Sequence, residues 1–338
     1  MWVNKILLWL CVMMGEAVWM CADSQVPFTV MSYNCENVFD TCHDEGYEDY
    51  EFLPESSKRW SRSRFYRKLK NIGKVVMAAD SVRPVDVVCL LEVENDSVMT
   101  WLTARTPLRH IGYKYIMTES DDPRGIDIAL MYSPFTFRPV EVRRLRPKID
   151  LRTRDVLFVS GVVCSGDTLD FYAVHLPSKL SGLRSDATRA AIAEWICADV
   201  DSVMRVRNRP YIIIMGDFNT PAASSVFTKV MKAENAGKVS DYMPYSLYNL
   251  MAGRKPGSYK YRNQWSVIDH ILVNGNLLAG TSSVRTSYTS SGILSLPFLL
   301  EKDTVYGGLR PKRTYRGFKY SDGFSDHLPV YVRFSIDF

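Results

Sequence analysis

Carboxylates, amides and imidazoles recur where apolar runs of this chain end. Asn34 and Glu36 lie in SYNCEN (32–37), and Glu92 lies in LLEVEN (90–95). His175 opens HLPSK (175–179), Asp217 and Asn219 lie in GDFN (216–219), and Asp326 and His327 lie in SDHLPV (325–330). Asp269 and His270 interrupt VIDHILV (267–273). If the apolar runs are strands of one sheet or a pair of sheets, these side chains gather at one rim. Oxygen donors with imidazoles and no thiolate cluster suit a hard cation and hydrolysis of phosphate esters. Zinc is disfavoured because no Cys/His cluster has ligand spacing. Asp217 and Asn219 are two apart, so an extended backbone would point both the same way. One would orient or deprotonate water and the other would hold the same phosphate; an Asp/Asn turn closing the strand is the simpler alternative. His270 would face the opposite side of a strand from Asp269 and reads as structural.

In this order the motifs resemble the endonuclease/exonuclease/phosphatase superfamily, the fold of deoxyribonuclease I and exonuclease III, over roughly residues 28–338. ENVFD (36–40), DPRGIDIALMY (122–132), YRNQWSVID (261–269) and PKRTYRG (311–317) look like its bacterial extracellular-nuclease branch. The resemblance implies an α/β fold, a four-layer α/β/β/α sandwich of two packed mixed sheets flanked by helices. It implies Glu92 as principal ligand of Mg²⁺, with Asn34, Asp326 and Glu36 as further metal residues and Mn²⁺ or Ca²⁺ as substitutes. Asp217 would prepare the attacking water, and Asn219, His175 and His327 would hold phosphoryl oxygens. Asp269 would fix the His327 imidazole and keep it protonated, and Asp127 is the candidate to orient His175. Arg124, Arg313 and Arg316 would contact the substrate backbone. The implied activity is a metal-dependent phosphodiesterase acting on nucleic acid, DNA ahead of RNA, with no obligate protein partner. The same superfamily also cleaves phospholipids and phosphoinositides, which makes a lipid substrate the alternative. A binding module with a dead site would not need the full acidic and histidine set.

The elements that must position these groups are legible as apolar runs at 28–33, 85–91, 126–132, 156–163, 169–174, 211–215, 267–273 and 328–335. Helical spacing occurs at 63–79, through Phe65, Leu69, Ile72 and Val76, and at 186–204, through Ile192, Ile196, Val200 and Val203. Strands separated by occasional helices indicate α/β layering. No linker interrupts the motifs, so one catalytic domain over 26–338 is expected.

Of 338 residues, 46% are hydrophobic and 23% charged, the balance of an ordinary globular protein. The net charge of +5 is unevenly spread. Eight Lys/Arg and no acid fall between Ser56 and Ala79, with further basic groups at 143–154 and 310–319. A basic surface beside the rim would attract polyphosphate strands; the alternative is the solvated face of an amphipathic helix. Lys5, the apolar run Ile6–Met14 and the small residues Gly15, Ala17 and Ala22 form a signal-peptide layout over 1–22. Export to the periplasm, cell surface or medium is therefore expected. Beyond it, Cys89, Cys164 and Cys197 sit in apolar runs and read as core, whereas Cys35 and Cys42 could pair. Ile293–Leu300 is an apolar stretch that would touch a membrane if exposed, or pack as core.

Overall fold

A computed structural model describes residues 25–146, 153–178 and 184–337. The expected leader at 1–22, residues 147–152 of the second basic run and Lys179 of HLPSK lie outside the described residues.

In chain order, β1 (Gln25–Val38), β2 (Val87–Val93), β3 (Lys114–Met117) and β4 (Asp127–Tyr132) open a first sheet. A second sheet takes β5 (Arg138–Leu145), β6 (Val156–Val162), β7 (Thr168–His175), β8 (Ile212–Asp217), β9 (Glu234–Asn235) and β10 (Leu247–Asn249). The hairpin of β11 (Tyr259–Tyr261) and β12 (Gln264–Ser266) precedes β13 (Asp269–Asn274), which returns to the second sheet. β14 (Val284–Arg285) and β15 (Ser291–Ile293) join the first sheet against the last strand. Two more hairpins, β16 (Leu300–Lys302) with β17 (Leu309–Pro311) and β18 (Tyr315–Arg316) with β19 (Lys319–Tyr320), lead to β20 (Val330–Asp337). The first sheet runs β14-β20-β1-β2-β4-β3 and the second β5-β6-β7-β8-β13-β10-β9. Both mix parallel and antiparallel pairs, β1 with β2 and β7 with β8 being parallel.

Strand alternation divides the apolar residues among three packed interfaces. Phe28 and Val30 of β1, Cys89 and Leu91 of β2, and Ile213 and Met215 of β8 fill the space between the sheets. Met31 and Tyr33 of β1 turn outward against Phe65, Leu69 and Ile72 of α1 (Arg62–Ala78) and Leu102 of α2 (Asp96–Arg105). Ile212 and Ile214 of β8 turn the other way, against Ile192, Ile196 and Val200 of α3 (Arg184–Val206). Three cores between four layers make the α/β/β/α sandwich. These strands are apolar on both faces because both faces are covered.

Three expectations are corrected. Cys164 is exposed in the turn joining β6 to β7, so its apolar neighbourhood in sequence does not make it core. Cys35 and Cys42 both carry free thiols, because alternation turns Cys35 into the core under α1 while Cys42 is exposed. Lys68 is not on the wet side of α1. It is wholly buried and donates to Thr314 Oγ1 (2.6 Å) and the Phe324 carbonyl (2.7 Å). Ile293–Leu300 packs as core, with Leu294 and Leu299 buried against the cluster under α1. No helix among the described residues is long and apolar enough to cross a membrane.

Candidate active site

Register brings the chemistry together. β7 lies parallel to β8 with His175 opposite Asp217, and β13 lies antiparallel to β8 with Asp269 opposite Asp217. Three adjacent strand ends thus present His175, Asp217 and Asp269 in one row. Gly216 makes the close pairing possible: a Cβ there would sit 1.8 Å from the Val174 carbonyl oxygen. From the first sheet, Asn34 closes the gap, its Nδ2 donating to Asp217 Oδ2 (3.1 Å) and Glu92 Oε1 (3.3 Å). The site therefore spans the seam between the sheets.

Local backbone features aim these groups. The β1–β2 and β2–β4 registers both slip where Glu92 sits, and Glu92 takes φ 62° at the slip. Glu36, Asn37 and Asn219 also have positive φ, a conformation costing about 1–2 kcal/mol for a residue with a Cβ. Such strain collects where structure around a site enforces it. Asn219 corrects one expectation. At φ 50° it does not extend the strand; it curls back, its N–H donating to Asp217 Oδ1 (2.8 Å) and its Nδ2 to the Leu176 carbonyl (2.9 Å). The Asp/Asn turn and the functional pairing are the same object.

The titration of the group follows from burial and charge. Burial and the neighbouring Asp269 push the Asp217 carboxyl up to about 7, against the opposing pull of His327. Burial works to discharge His327, but the charges of Asp269 and Asp217 and the 2.8 Å bond from Nδ1 to Asp269 Oδ2 hold its pKa well above the ordinary histidine value. His327 Nε2 lies 3.9 Å from Asp217 Oδ2. His175 is the opposite case: burial, Arg154 and Arg124 press its pKa well below the ordinary value, so its ring is neutral. Its Nε2 stands 3.7 Å from both Glu92 Oε1 and Asp217 Oδ2. Two histidines of one rim thus differ in charge: one cationic donor and one neutral donor.

Ligand atoms of Asp217, Asp269 and His327 lie within 4.8 Å of one another. A protonated imidazole has no lone pair for a metal, so this trio is an acid–base chain. A cation fits better at Glu92, a partly exposed carboxylate, since Mg²⁺ takes one or two carboxylates and completes its octahedron with water and substrate. As oriented, the Asn34 amide oxygen accepts from Glu36 N–H (3.0 Å), and the amide nitrogen bridges the carboxylates.

Other expected site residues are held elsewhere. Glu36 accepts from Arg313 Nε (2.9 Å) and Thr314 N–H (2.6 Å), and Arg313 also reaches Asp326 Oδ2 (3.1 Å). Arg313 therefore joins Glu36 to Asp326 at the edge of the rim. Arg316 pairs with Glu301 on β16. Arg124 is half-exposed, 3.7 Å from Asp122. Asp127 does not orient His175: its carboxylate is taken by Thr118 Oγ1 (2.6 Å) and Ser120 N–H (3.0 Å), and His175 Nδ1 is buried with no hydrogen-bond partner among the described residues. His270 is structural as expected. Its ring bonds Asn249 and the Thr220 carbonyl and packs on Phe227, and burial lowers its pKa to about 4. His270→Ala should cost about 1–3 kcal/mol by stranding those partners, measured by denaturant unfolding, while turnover per folded molecule stays near wild type.

Two positioning groups escaped sequence reasoning. Ser325 Oγ donates to the Asn34 carbonyl (2.7 Å) and accepts from His327 N–H (3.0 Å), tying the first sheet to the rim histidine. Arg154, buried, donates to the carbonyls of His175 (3.0 Å) and Leu176 (3.1 Å) and to Asp122 Oδ2 (2.7 Å). Serine at 325 lay inside a recognised motif; Arg154 sat in a basic run, where a solvated cation is the default. Arg154→Met should destabilise by about 1–3 kcal/mol, because Asp122 loses its close buried partner and keeps only Arg124, and the carbonyls of His175 and Leu176 lose a donor; a calorimetric melt would show it.

A model of the endonuclease/exonuclease/phosphatase family matches residues 29–335. The chain belongs to that family. All three activities in its name are hydrolyses of phosphoesters. No curated protein matches significantly. Among solved structures, a family protein from Bacteroides thetaiotaomicron aligns with TM-score 0.60 at 18% identity, over 93% of this chain and 99% of that one. A mannosyl-6-phosphatase from Bacteroides thetaiotaomicron aligns with TM-score 0.57 at 18% identity, over 91% and 99%. TDP2 from D. rerio, in complex with single-strand DNA product, aligns with TM-score 0.55 at 13% identity, over 91% and 98%. At these identities the likeness is one of fold.

Proposed function

We propose that this chain is an exported, divalent-metal-dependent phosphodiesterase that hydrolyses DNA by in-line attack of water on phosphorus. The observation that carries the chemistry is the row His175, Asp217, Asp269 with His327 behind it. It offers a base buried between a neutral and a cationic imidazole. Asp217, with a pKa of about 7, is matched to taking a proton from water near neutrality. Asn219 and Asn34 fix its carboxylate in direction. Nε2–H of His327 and of His175 would donate to non-bridging oxygens, stabilising charge that grows in the transition state. A divalent cation held at Glu92 would neutralise phosphate charge there.

Polyanion rather than lipid is supported by two surfaces. α1 is tied to the rim through Lys68, 3.8 Å from Glu36, and leaves Arg62, Arg67, Lys70 and Lys74 exposed. Ile293–Leu300, the segment that would touch a membrane, is packed inward. Export rests on the layout of residues 1–22.

The test is a parallel assay of the mature protein with Mg²⁺ on plasmid DNA, RNA, sphingomyelin, phosphoinositide and mannose 6-phosphate. Plasmid nicking, suppressed by rising salt, is the expected result; hydrolysis of a lipid or of the sugar phosphate with DNA untouched would overturn the reading. Chelation should abolish activity and Mg²⁺ or Mn²⁺ restore it, with Glu92→Gln raising the metal concentration needed at half-maximal rate. Full activity in exhaustively chelated enzyme would remove the metal from the account.

A further inference from the structure

Beside the rim lies a pocket of about 300 Å³ between the 51–60 loop and the β18–β19 hairpin, and the chemistry described above does not use it. It begins at Glu36, Asn37 and Arg313, so it is continuous with the rim; Asn37 N–H donates to Glu92 Oε2 (2.9 Å). Its volume is at the lower end for small-molecule sites, enough for one ring and its substituents.

The walls are aromatic and preset. Phe52 stacks on Phe39 with centroids 4.2 Å apart and planes 8° from parallel, and meets Trp60 edge-on at 6.1 Å. Trp60 is pinned by its indole N–H, which donates to the Phe39 carbonyl (2.9 Å). Tyr315 closes the row against Trp60 at 6.0 Å, its hydroxyl donating to the Lys58 carbonyl (3.0 Å). Arg64 locks the loop by donating to the carbonyls of Lys58 (2.6 Å) and Arg59 (2.8 Å). Lys58 Nζ stands 4.2 Å over the Phe52 ring. Phe52, Trp60 and Tyr315 are all buried, whereas Phe318 is 67% exposed. Phe318 is the lining ring with a free face. It follows Gly317, whose φ of 57° turns the hairpin.

We propose that this pocket is a nucleobase subsite, which seats the base of a nucleotide flanking the scissile phosphate by stacking against Phe318. The inference rests on the nuclease reading for its choice of ring. A flat, uncharged ring attached to a phosphate suits the site on two counts. The aromatic walls favour a π-face, which every base offers, and the lining charges are balanced, Lys58 pairing with Glu51 and Arg313 with Glu36, so a neutral ring fits. Glu51 at the wall accepts from Lys58 (2.6 Å) and remains exposed enough to take a ring N–H.

The experiment is calorimetric binding with Mg²⁺, on Asp217→Asn protein so that no turnover intervenes. The probes are thymidine 5′-monophosphate, deoxyribose 5-phosphate and mannose 6-phosphate. The nucleotide should bind at least roughly ten-fold tighter than deoxyribose 5-phosphate, and Phe318→Ala should erase that difference while Phe318→Trp keeps it. Deoxyribose 5-phosphate or mannose 6-phosphate binding as tightly as the nucleotide would overturn the subsite, as would a Phe318→Ala protein that still discriminates. Oligonucleotide cleavage by the wild type is scored separately. Base-dependent binding without cleavage would sink the nuclease reading and keep the subsite, and cleavage without base-dependent binding would do the reverse.

Discussion

Asp217→Asn should lower turnover by at least roughly a hundredfold, the loss typical of a positioned general base. The asparagine keeps size and, through its one oxygen, the bond from Asn219 N–H, while its NH2 cannot accept from Asn34 Nδ2. One lost bond is small against the whole fold, so circular dichroism and melting should show a folded protein. The loss would therefore report chemistry. The wild-type pH profile carries the same signature. Burial raises the Asp217 pKa to about 7, so the base is protonated and idle below that value and activity climbs as pH rises through it. An acid limb in the ordinary aspartate range would remove Asp217 from the role of base.

His327→Ala should cost a comparable factor, through loss of a cationic donor to the phosphoryl group. His327 is held protonated well above the ordinary histidine range, so the wild-type rate, once Asp217 is ionised, should stay high above neutrality and fall only once that proton leaves. Asp269→Asn removes the charge that sustains the proton and should move the basic limb to lower pH with a smaller loss at neutrality. An unchanged basic limb in Asp269→Asn would mean that the 2.8 Å pair is structural. His270, adjacent in sequence, is the internal control, because its face of β13 is turned to Phe218 and Phe227.

Much of this was readable without coordinates, for physical reasons that differ by element. β8 announced itself as an uninterrupted apolar run because both its faces are covered. α1 showed its apolar stripe, but the same stripe made Lys68 look solvated. What buries Lys68 is a segment almost 250 residues away that brings Thr314 and Phe324 over the helix. α2 went unseen because Val98, Met99 and Leu102 are too few to set a period, although Asn95 caps it by accepting from Val98 N–H (3.0 Å). Motif order pointed to the candidate site residues, yet how each is held was not all legible. Alternation cannot foresee the positive φ at Glu92 or Asn219, and no local pattern says that Arg313 is spent on Glu36 and Asp326. Asp127 was an attractive partner for His175 only while its bonds to Thr118 and Ser120 were unseen.

Ion pairs at the rim change how basic residues are weighed. Arg313 and Arg316 were expected to follow a substrate backbone. One now joins two acids at the site and the other braces β16. Exposed positive charge lies instead on α1, at Arg62, Lys70, Lys74 and Arg67, the last 3.7 Å from Asp322, and substitutions there should alter the salt dependence of binding and leave the rate on a small diester unchanged.

The central claim is that water, activated by Asp217, attacks phosphorus directly. Hydrolysis of a chiral phosphorothioate diester in ¹⁸O-labelled water measures it most directly. One direct displacement places the label on phosphorus with inversion of configuration, the result expected here. Retention would contradict the account, since it requires a covalent enzyme intermediate and two displacements.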